Sequence, residues 1–159
     1  MDKNEFTATV QRNEQRLFLI ALSFTKNRAD AEDILQNVFL KLWEYKKTFT
    51  DALHTDKWLT TVCVNESRNY IRSPFRSRVS ALDDADELCT FDDPKNGAVF
   101  RAVMSLPQKD RTALHLFYYE DMSVGEIAKQ LHTSPAAVKT RLCRAREKLK
   151  NILGDEDNR

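Results

Sequence analysis

Ser123-Val124-Gly125-Glu126-Ile127-Ala128-Lys129-Gln130-Leu131-His132-Thr133-Ser134-Pro135-Ala136-Ala137-Val138-Lys139-Thr140-Arg141-Leu142 reads as two helices folded back across one tight turn. Ser123, with Glu126 three residues on, has the spacing of a capping box. The short helix that follows turns Val124, Ile127, Ala128 and Leu131 toward a core. His132-Thr133 make the turn. Ser134 caps a second helix, and Pro135 takes its first position, where a missing N–H costs nothing. Helices joined so closely cross steeply, and that contact favours the small Ala128 against the branched Val138. Beyond the turn, Val138, Leu142, Ala145, Leu149 and Ile152 fall on one buried stripe of helical period.

The opposite face of this last helix follows from a rotation of about 100° per residue. Ala136, Thr140, Cys143 and Glu147 lie along its centre, with Ala137 and Arg144 beside them. Lys139 and Arg146 flank one side; Arg141 and Lys148 flank the other. Small residues at the tip, polar residues along the middle and cations on both walls suit a helix entering a major groove. The walls would meet phosphates and the centre base edges. Glu147 opposes phosphate and is expected beyond the edge of the DNA. Cap, turn, stripe and basic flanks agree, which favours nucleic-acid binding over a solvated helical hairpin.

Charge supports the same end of the chain. The whole sequence carries a net +1, but residues 99–153 hold 10 basic and 5 acidic residues, whereas residues 76–98 hold 3 and 6. Basic charge therefore collects where a phosphate-binding surface would want it. Three Gly and four Pro in 159 residues argue against a turn-rich sheet fold. The expected class is all-α: two small helical domains joined by an acidic flexible linker. The expected limits are 1–75 for the N-terminal domain, 76–95 for the linker, 96–153 for the C-terminal helix-turn-helix domain and 154–159 for an acidic tail. A plain tether is at least as good a reading of the linker as an active role.

Upstream, Phe6, Val10, Leu17, Ile20 and Phe24 recur at helical spacing over 4–26, with Asn13 breaking the stripe. A second helix, capped by Asn27 or Asp30, runs to about Tyr45. Residues 46–55 read as a loop, with Thr55 capping a third helix that ends at Ser73-Pro74, since the residue before proline avoids the helical region. The second helix is apolar nearly all round. Ile34, Val38 and Leu42 make one stripe, while Leu35, Phe39, Leu40 and Trp43 spread over other faces. A second buried side against a partner and a central place within a bundle explain this equally well. On the third helix, Trp58 and then Asn65, Arg68, Asn69, Tyr70 and Arg72 would suit unstacked bases on a single strand. A plain amphipathic helix with a polar outer face accounts for that patch as well.

No metal ligand set is expected: Cys63, Cys89 and Cys143 are far apart, and His54, His115 and His132 show no spacing with acids or cysteines. No cofactor and no catalytic residue are expected, since neither a nucleophile elbow nor a glycine-rich phosphate loop occurs. No signal-peptide run or transmembrane span is visible, so a cytoplasmic protein with no membrane insertion is expected.

Taken in order, these parts resemble an extracytoplasmic-function (ECF) sigma factor over nearly the whole chain. Ala31-Glu32-Asp33-Ile34-Leu35-Gln36-Asn37-Val38-Phe39-Leu40-Lys41-Leu42-Trp43 resembles the family's polymerase-clamp helix. Trp58-Leu59 with Asn65, Tyr70 and Arg72 resembles its minus-ten-element helix. Leu106-Pro107 with Arg111 resembles the entry to the second domain, and Glu126 to Arg146 its minus-thirty-five-element reader. The resemblance implies docking on core RNA polymerase through Asp33, Gln36, Asn37, Phe39, Leu40 and Trp43. It implies minus-ten contacts from Asn65, Arg68, Tyr70 and Arg72, with loop 46–55 helping to capture a flipped base. Contacts to the upstream element would come from Ser134, Ala136, Lys139, Thr140, Arg141, Cys143 and Arg144. It further implies promoter DNA, the clamp and flap regions of core RNA polymerase and an anti-sigma factor as partners.

Five departures stand out, Asn69 in place of a usual aspartate among them. Asn37 replaces a usual acid. Val64 stands where a base is common, which is expected to weaken the DNA face. His132 holds a turn position often taken by glycine, and Ala136-Ala137 replace residues commonly Gly and Thr. The rival readings are a stand-alone helix-turn-helix regulator and an interaction module that binds polymerase without opening promoters. The clamp-like and minus-ten-like segments speak against the first.

Overall fold

A computed structural model describes residues 1–73 and 94–157. Among them lie seven α-helices and no strand, as the low glycine and proline content implies: α1 (Lys3–Thr25), α2 (Arg28–Glu44), α3 (Ala52–Arg72), α4 (Pro94–Met104), α5 (Gln108–Tyr118), α6 (Val124–Gln130) and α7 (Pro135–Asp157). The chain divides into two compact units, Met1–Leu82 and Asp83–Arg159. The expected linker 76–95 lies outside the described residues except for its last two positions, which already belong to α4.

In the first unit α1, α2 and α3 pack against one another. Local chemistry sets their ends. Asp2 and Glu5 close a capping box on α1, and Asn27 caps α2 by accepting from the Asp30 amide at 2.9 Å. The third cap is Asp51 rather than Thr55. The Asp51 carboxylate accepts from the His54 amide at 2.8 Å, so the helix starts four residues earlier than expected. Thr55 is buried inside the first turn, and its hydroxyl donates back to the Asp51 carbonyl at 3.1 Å. Carboxylate and hydroxyl both cap well, so composition alone could not choose between them.

The core of this unit contains Leu17, Ile20, Ile34, Val38, Leu42, Leu59, Cys63 and Val64, all essentially without exposed surface. Val64 is therefore a packing residue, and its lack of charge takes nothing from an outer face. The α1 stripe also departs from its expected course. Phe6 and Val10 are only half-buried, while Thr9 and Asn13 are buried in their stead. The reason is a polar seam between α1 and α3. Asn13 donates to the Asp56 carboxylate at 3.0 Å and to the Thr9 carbonyl at 2.9 Å, and accepts from Arg16 at 2.8 Å. Arg12 meets the same Asp56 oxygen at 2.9 Å, and Arg16 reaches the Thr60 hydroxyl at 2.6 Å. Partial burial would raise the Asp56 carboxyl, but hydrogen bonds from Arg12 and Asn13 and the charges of Arg12 and Arg16 outweigh it and hold it below its ordinary value.

The second unit packs α4, α5 and α6 against α7, and α5 against α6. Its core takes Ala102, Met104, Leu106, Ala113, Leu116, Ile127, Ala128, Val138, Leu142 and Ala145. The Ser123–Glu126 capping box forms, with Glu126 N–H donating to the Ser123 hydroxyl at 3.1 Å. His132 takes a left-handed φ of 54° in the turn, and the Thr133 amide closes it on the Ala128 carbonyl at 2.9 Å. Ser134 accepts from the Ala137 amide at 3.1 Å and caps α7. That helix continues to Asp157, past the expected end at Leu153, so the first residues of the acidic tail belong to it.

Asp56→Ala is expected to lower the stability of the first unit by about 1–3 kcal/mol, because it strands hydrogen-bond donors of Arg12 and Asn13 that are partly withdrawn from water. Urea unfolding followed by the fluorescence of Trp43 and Trp58, which both lie in this unit, measures the change. An unchanged midpoint would show the seam to be energetically idle.

Candidate functional site

The outer face of α7 presents Ser134, Ala136, Lys139, Thr140 and Cys143 as exposed residues, with Arg141 half-buried. Two of these side chains are engaged by their own helix: Ser134 is the cap, and Thr140 donates to the Ala136 carbonyl at 3.0 Å. Farther along, Arg144 beside the centre and the wall cations Arg146 and Lys148 stay exposed but are tied to α5. Arg144 Nη2 donates to Asp110 Oδ1 at 3.1 Å, and Lys148 Nζ stands 3.8 Å from the other oxygen of that carboxylate. Arg146 donates to the Tyr118 hydroxyl at 2.7 Å and lies 5.5 Å from the ring centroids of Phe117 and Tyr118. Asp110 and Tyr118, both on α5, are the partners that the sequence did not disclose.

The rest of α5 is unusually polar for a buried helix. Arg111 is buried and donates to the Leu106 carbonyl at 2.9 Å; burial lowers its pKa to about 10, which leaves it cationic at neutral pH. His115 stacks on Tyr119 with ring centroids 5.0 Å apart, and burial lowers it to about 4. It is therefore neutral in the folded protein.

On α3, Asn65 and Arg72 are exposed and Arg68 is half-buried. Partial burial, and then the like charge of Arg72, lower Arg68 from its ordinary value. Tyr70 is less available than expected, since its hydroxyl donates to the Asp30 carboxylate on α2. At the other end of α3, Trp58 packs on Tyr45 and Phe49 at 4.6 Å and 5.5 Å between ring centroids, and Phe49 meets His54 edge-on at 5.2 Å. This cluster braces the 45–51 loop. Beside it lies an open hollow of about 410 Å³, lined in part by Arg12, Lys46, Lys47, Phe49 and Thr55.

The remaining feature answers the question that periodicity left open on α2. Ile34, Val38 and Leu42 fill the bundle core, and among the described residues nothing covers the exposed part of the second apolar side. Leu40 is 56% exposed and Trp43 53%. With Phe6 and Val10 of α1 and Leu35 and Phe39 of α2 they line a shallow groove of about 670 Å³, rimmed by Glu14, Glu32 and Gln36. Phe6 meets Trp43 edge-on at 5.0 Å, which explains why these two stayed out of the core. Asp33, Gln36 and Asn37 are exposed on the same helix. A contiguous apolar groove with a polar rim has the composition of an interaction surface.

Comparison with known proteins matches residues 9–78 to sigma-70 region 2 and residues 97–149 to sigma-70 region 4. The chain belongs to the ECF sigma factors. It is 25% identical to RNA polymerase sigma-H factor of Pseudomonas aeruginosa over 96% of this chain and 88% of that one. It is 27% identical to the ECF RNA polymerase sigma factor SigM of Mycobacterium tuberculosis over 96% and 79%. Its fold is similar to that of the sigma factor RpoE, solved in complex with the anti-sigma factor NepR from Bartonella quintana (TM-score 0.66, 21% identity, 94% and 97% covered). The sigma factor is thus a promoter-recognising transcription initiation factor, with core RNA polymerase and promoter DNA as partners, and not a stand-alone regulator. Among the described residues no helix is long and apolar enough to cross a membrane.

The buried imidazole makes the second unit acid-sensitive. His115 binds a proton near pH 4 when folded and near 6.5 when unfolded, so between those values the unfolded chain holds more protons and stability falls with falling pH. The loss at pH 5, relative to neutral pH, is expected to be about 2 kcal/mol. Urea unfolding followed by circular dichroism at pH 7.5 and pH 5 should show it, and His115→Phe should flatten the difference. Equal pH dependence in both proteins would contradict the assignment.

Proposed function

We propose that the two units act as two hands on one promoter, held at a working distance by core RNA polymerase. The open groove of α1 and α2 is the polymerase surface: Phe39, Leu40 and Trp43 supply apolar contact, while Asp33, Gln36 and Asn37 supply polar contacts around it. The observation that carries this reading is the uncovered apolar side of α2, because its helix already contributes a complete stripe to the bundle. Asn65, Arg68 and Arg72 of α3, with the hollow beside the 45–51 loop, take the melted minus-ten strand. Tyr70 supports that face through Asp30. Ser134, Ala136, Lys139, Thr140, Arg141, Cys143 and Arg144 of α7 face the minus-thirty-five duplex.

The mechanism needs no catalysis and no cofactor. The second unit lies near the polymerase flap. Melting draws on binding energy: bases captured beside α3 offset part of the unstacking cost. Neither unit is basic enough to hold DNA tightly alone, and polymerase makes the binding bivalent. An anti-sigma factor, the kind of partner with which the similar RpoE was solved, would silence the protein by covering the same groove. All of this takes place in the cytoplasm.

The test is complex formation with bacterial core RNA polymerase by size-exclusion chromatography. Wild-type protein is expected to co-elute. Trp43→Ala and Leu40→Ala, which change exposed side chains and spare the core, are each expected to weaken the complex at least tenfold, as truncation of a buried anchor residue does. Undiminished co-elution of both variants would move the polymerase surface elsewhere.

A further inference from the structure

Asp110 sits in the first turn of α5, where a helix N-terminus favours a carboxylate. Its side chain is only 3% exposed, so its charge has to be met from within the protein. The ion pairs that meet it come from α7, 34 residues on: Arg144 at 3.1 Å on one oxygen and Lys148 at 3.8 Å on the other. Arg144 is nevertheless 54% exposed along its side chain. It is held without being hidden.

We propose that Asp110 is a positioning residue for promoter recognition: its buried carboxylate anchors one corner of the Arg144 guanidinium and aims the other donors at the upstream duplex. This rests on the reading of α7 as the helix that faces the minus-thirty-five element. A guanidinium carries five N–H donors in a rigid planar fork, and the bond to Asp110 occupies one nitrogen. An unanchored arginine samples many rotamers and loses that freedom when it meets a base. Here the freedom is lost at folding, so the hydrogen bonds to DNA cost less to form. The anchor does not cancel the attraction to phosphate, because Asp110, Arg144 and Lys148 together still carry one positive charge. Its effect is on direction, and therefore on which base pair is preferred rather than on how strongly DNA is held.

That split gives a test which general damage to the fold would not mimic. Holoenzyme formed from the full chain and core RNA polymerase is used to select minus-thirty-five sequences from a randomised promoter duplex. The selected duplex and its single-base-pair variants are then bound by holoenzymes carrying substituted chains. Asp110→Asn is expected to reduce discrimination at one base pair about tenfold, the size of one lost bidentate arginine contact. Affinity for non-selected duplex should hold or rise, since the substitution removes a negative charge. Arg144→Ala should lose discrimination at the same base pair, the double variant should be no worse than Arg144→Ala alone, and Asp110→Glu should restore most of it. Asp110→Leu, which removes the buried charge without leaving a polar group behind, serves if Asp110→Asn does not fold.

Discrimination unchanged in Asp110→Asn but lost in Arg144→Ala would overturn the proposal and leave the reading of α7 intact. A further loss from Asp110→Asn in the Arg144→Ala background would also overturn it, as would tighter specific binding by Asp110→Asn. Discrimination unchanged in Arg144→Ala would sink the proposal together with the assignment of Arg144 to the DNA face.

Discussion

A three-helix bundle has room for one stripe from each helix, and α2 brings two. Ile34, Val38 and Leu42 take the place in the core, and among the described residues Leu40 and Trp43 stay exposed while Leu35 and Phe39 are only half-buried. An apolar surface kept in water forgoes roughly 25 cal/mol for every Å² that could have been buried. Such a face persists when its burial is reserved for another molecule. Phe6 and Val10 extend it from α1 at the cost of leaving that helix's own core stripe, and the vacated positions are filled by Thr9 and Asn13. The polar seam around Asp56 is thus the counterpart of the open groove. The amino-terminal half of α1 turns its apolar side outward and is tied to α3 by hydrogen bonds instead.

The second unit solves a related problem with charge. Its recognition helix is fixed from below by Val138, Leu142 and Ala145 against Ile127 and Ala128, which sets where α7 lies. Packing of one stripe says little about how the helix's long cations point. That is set by α5, whose Asp110 takes Arg144 and Lys148 and whose Tyr118 takes Arg146. A buried carboxylate is a costly device unless well paired, so on the proposed reading its place under α7 is a matter of orientation more than of stability. Arg111 and His115 make the same helix still more polar inside, the one bonded to the Leu106 carbonyl and the other kept neutral.

What was legible in the sequence follows the range of each interaction. Caps, turns and stripes are written in residues that lie close together. Ser123 with Glu126, His132 in the turn, Ser134 before Pro135 and the Val138–Leu142–Ala145 stripe could all be read directly. Asn13 and Asp56 are 43 residues apart, and Asp110 and Arg144 are 34 apart. Periodicity reports that a polar residue interrupts a stripe, not that a distant carboxylate is waiting for it. The same limit explains Val64, which a comparison of positions put on an outer face and the bundle puts inside. It also explains why the two faces of α2 stayed undecided until the third helix was in place. Thr55 was a different kind of miss: Asp51 is an equally good local cap, and only hydrogen-bond geometry separates the two.

These contacts bear on why the sigma factor needs polymerase at all. Residues 99–153 hold 10 basic residues, a respectable supply for DNA. Yet Arg111 is buried, Arg144 and Lys148 share one carboxylate, and Arg146 lies on tyrosine and phenylalanine rings. Lys139 is exposed and Arg141 half-buried near the tip of α7, with no such partner on α5. Each phosphate contact adds to a salt-sensitive and sequence-blind affinity, so a surface with few of them binds duplex DNA weakly by itself. Weak contacts become selective when a second site fixes the effective concentration of the first. On the proposed reading, the open groove on α1 and α2 supplies that second site. A recognition helix with part of its charge engaged by α5 is therefore suited to a protein that must leave promoters alone until polymerase carries it there.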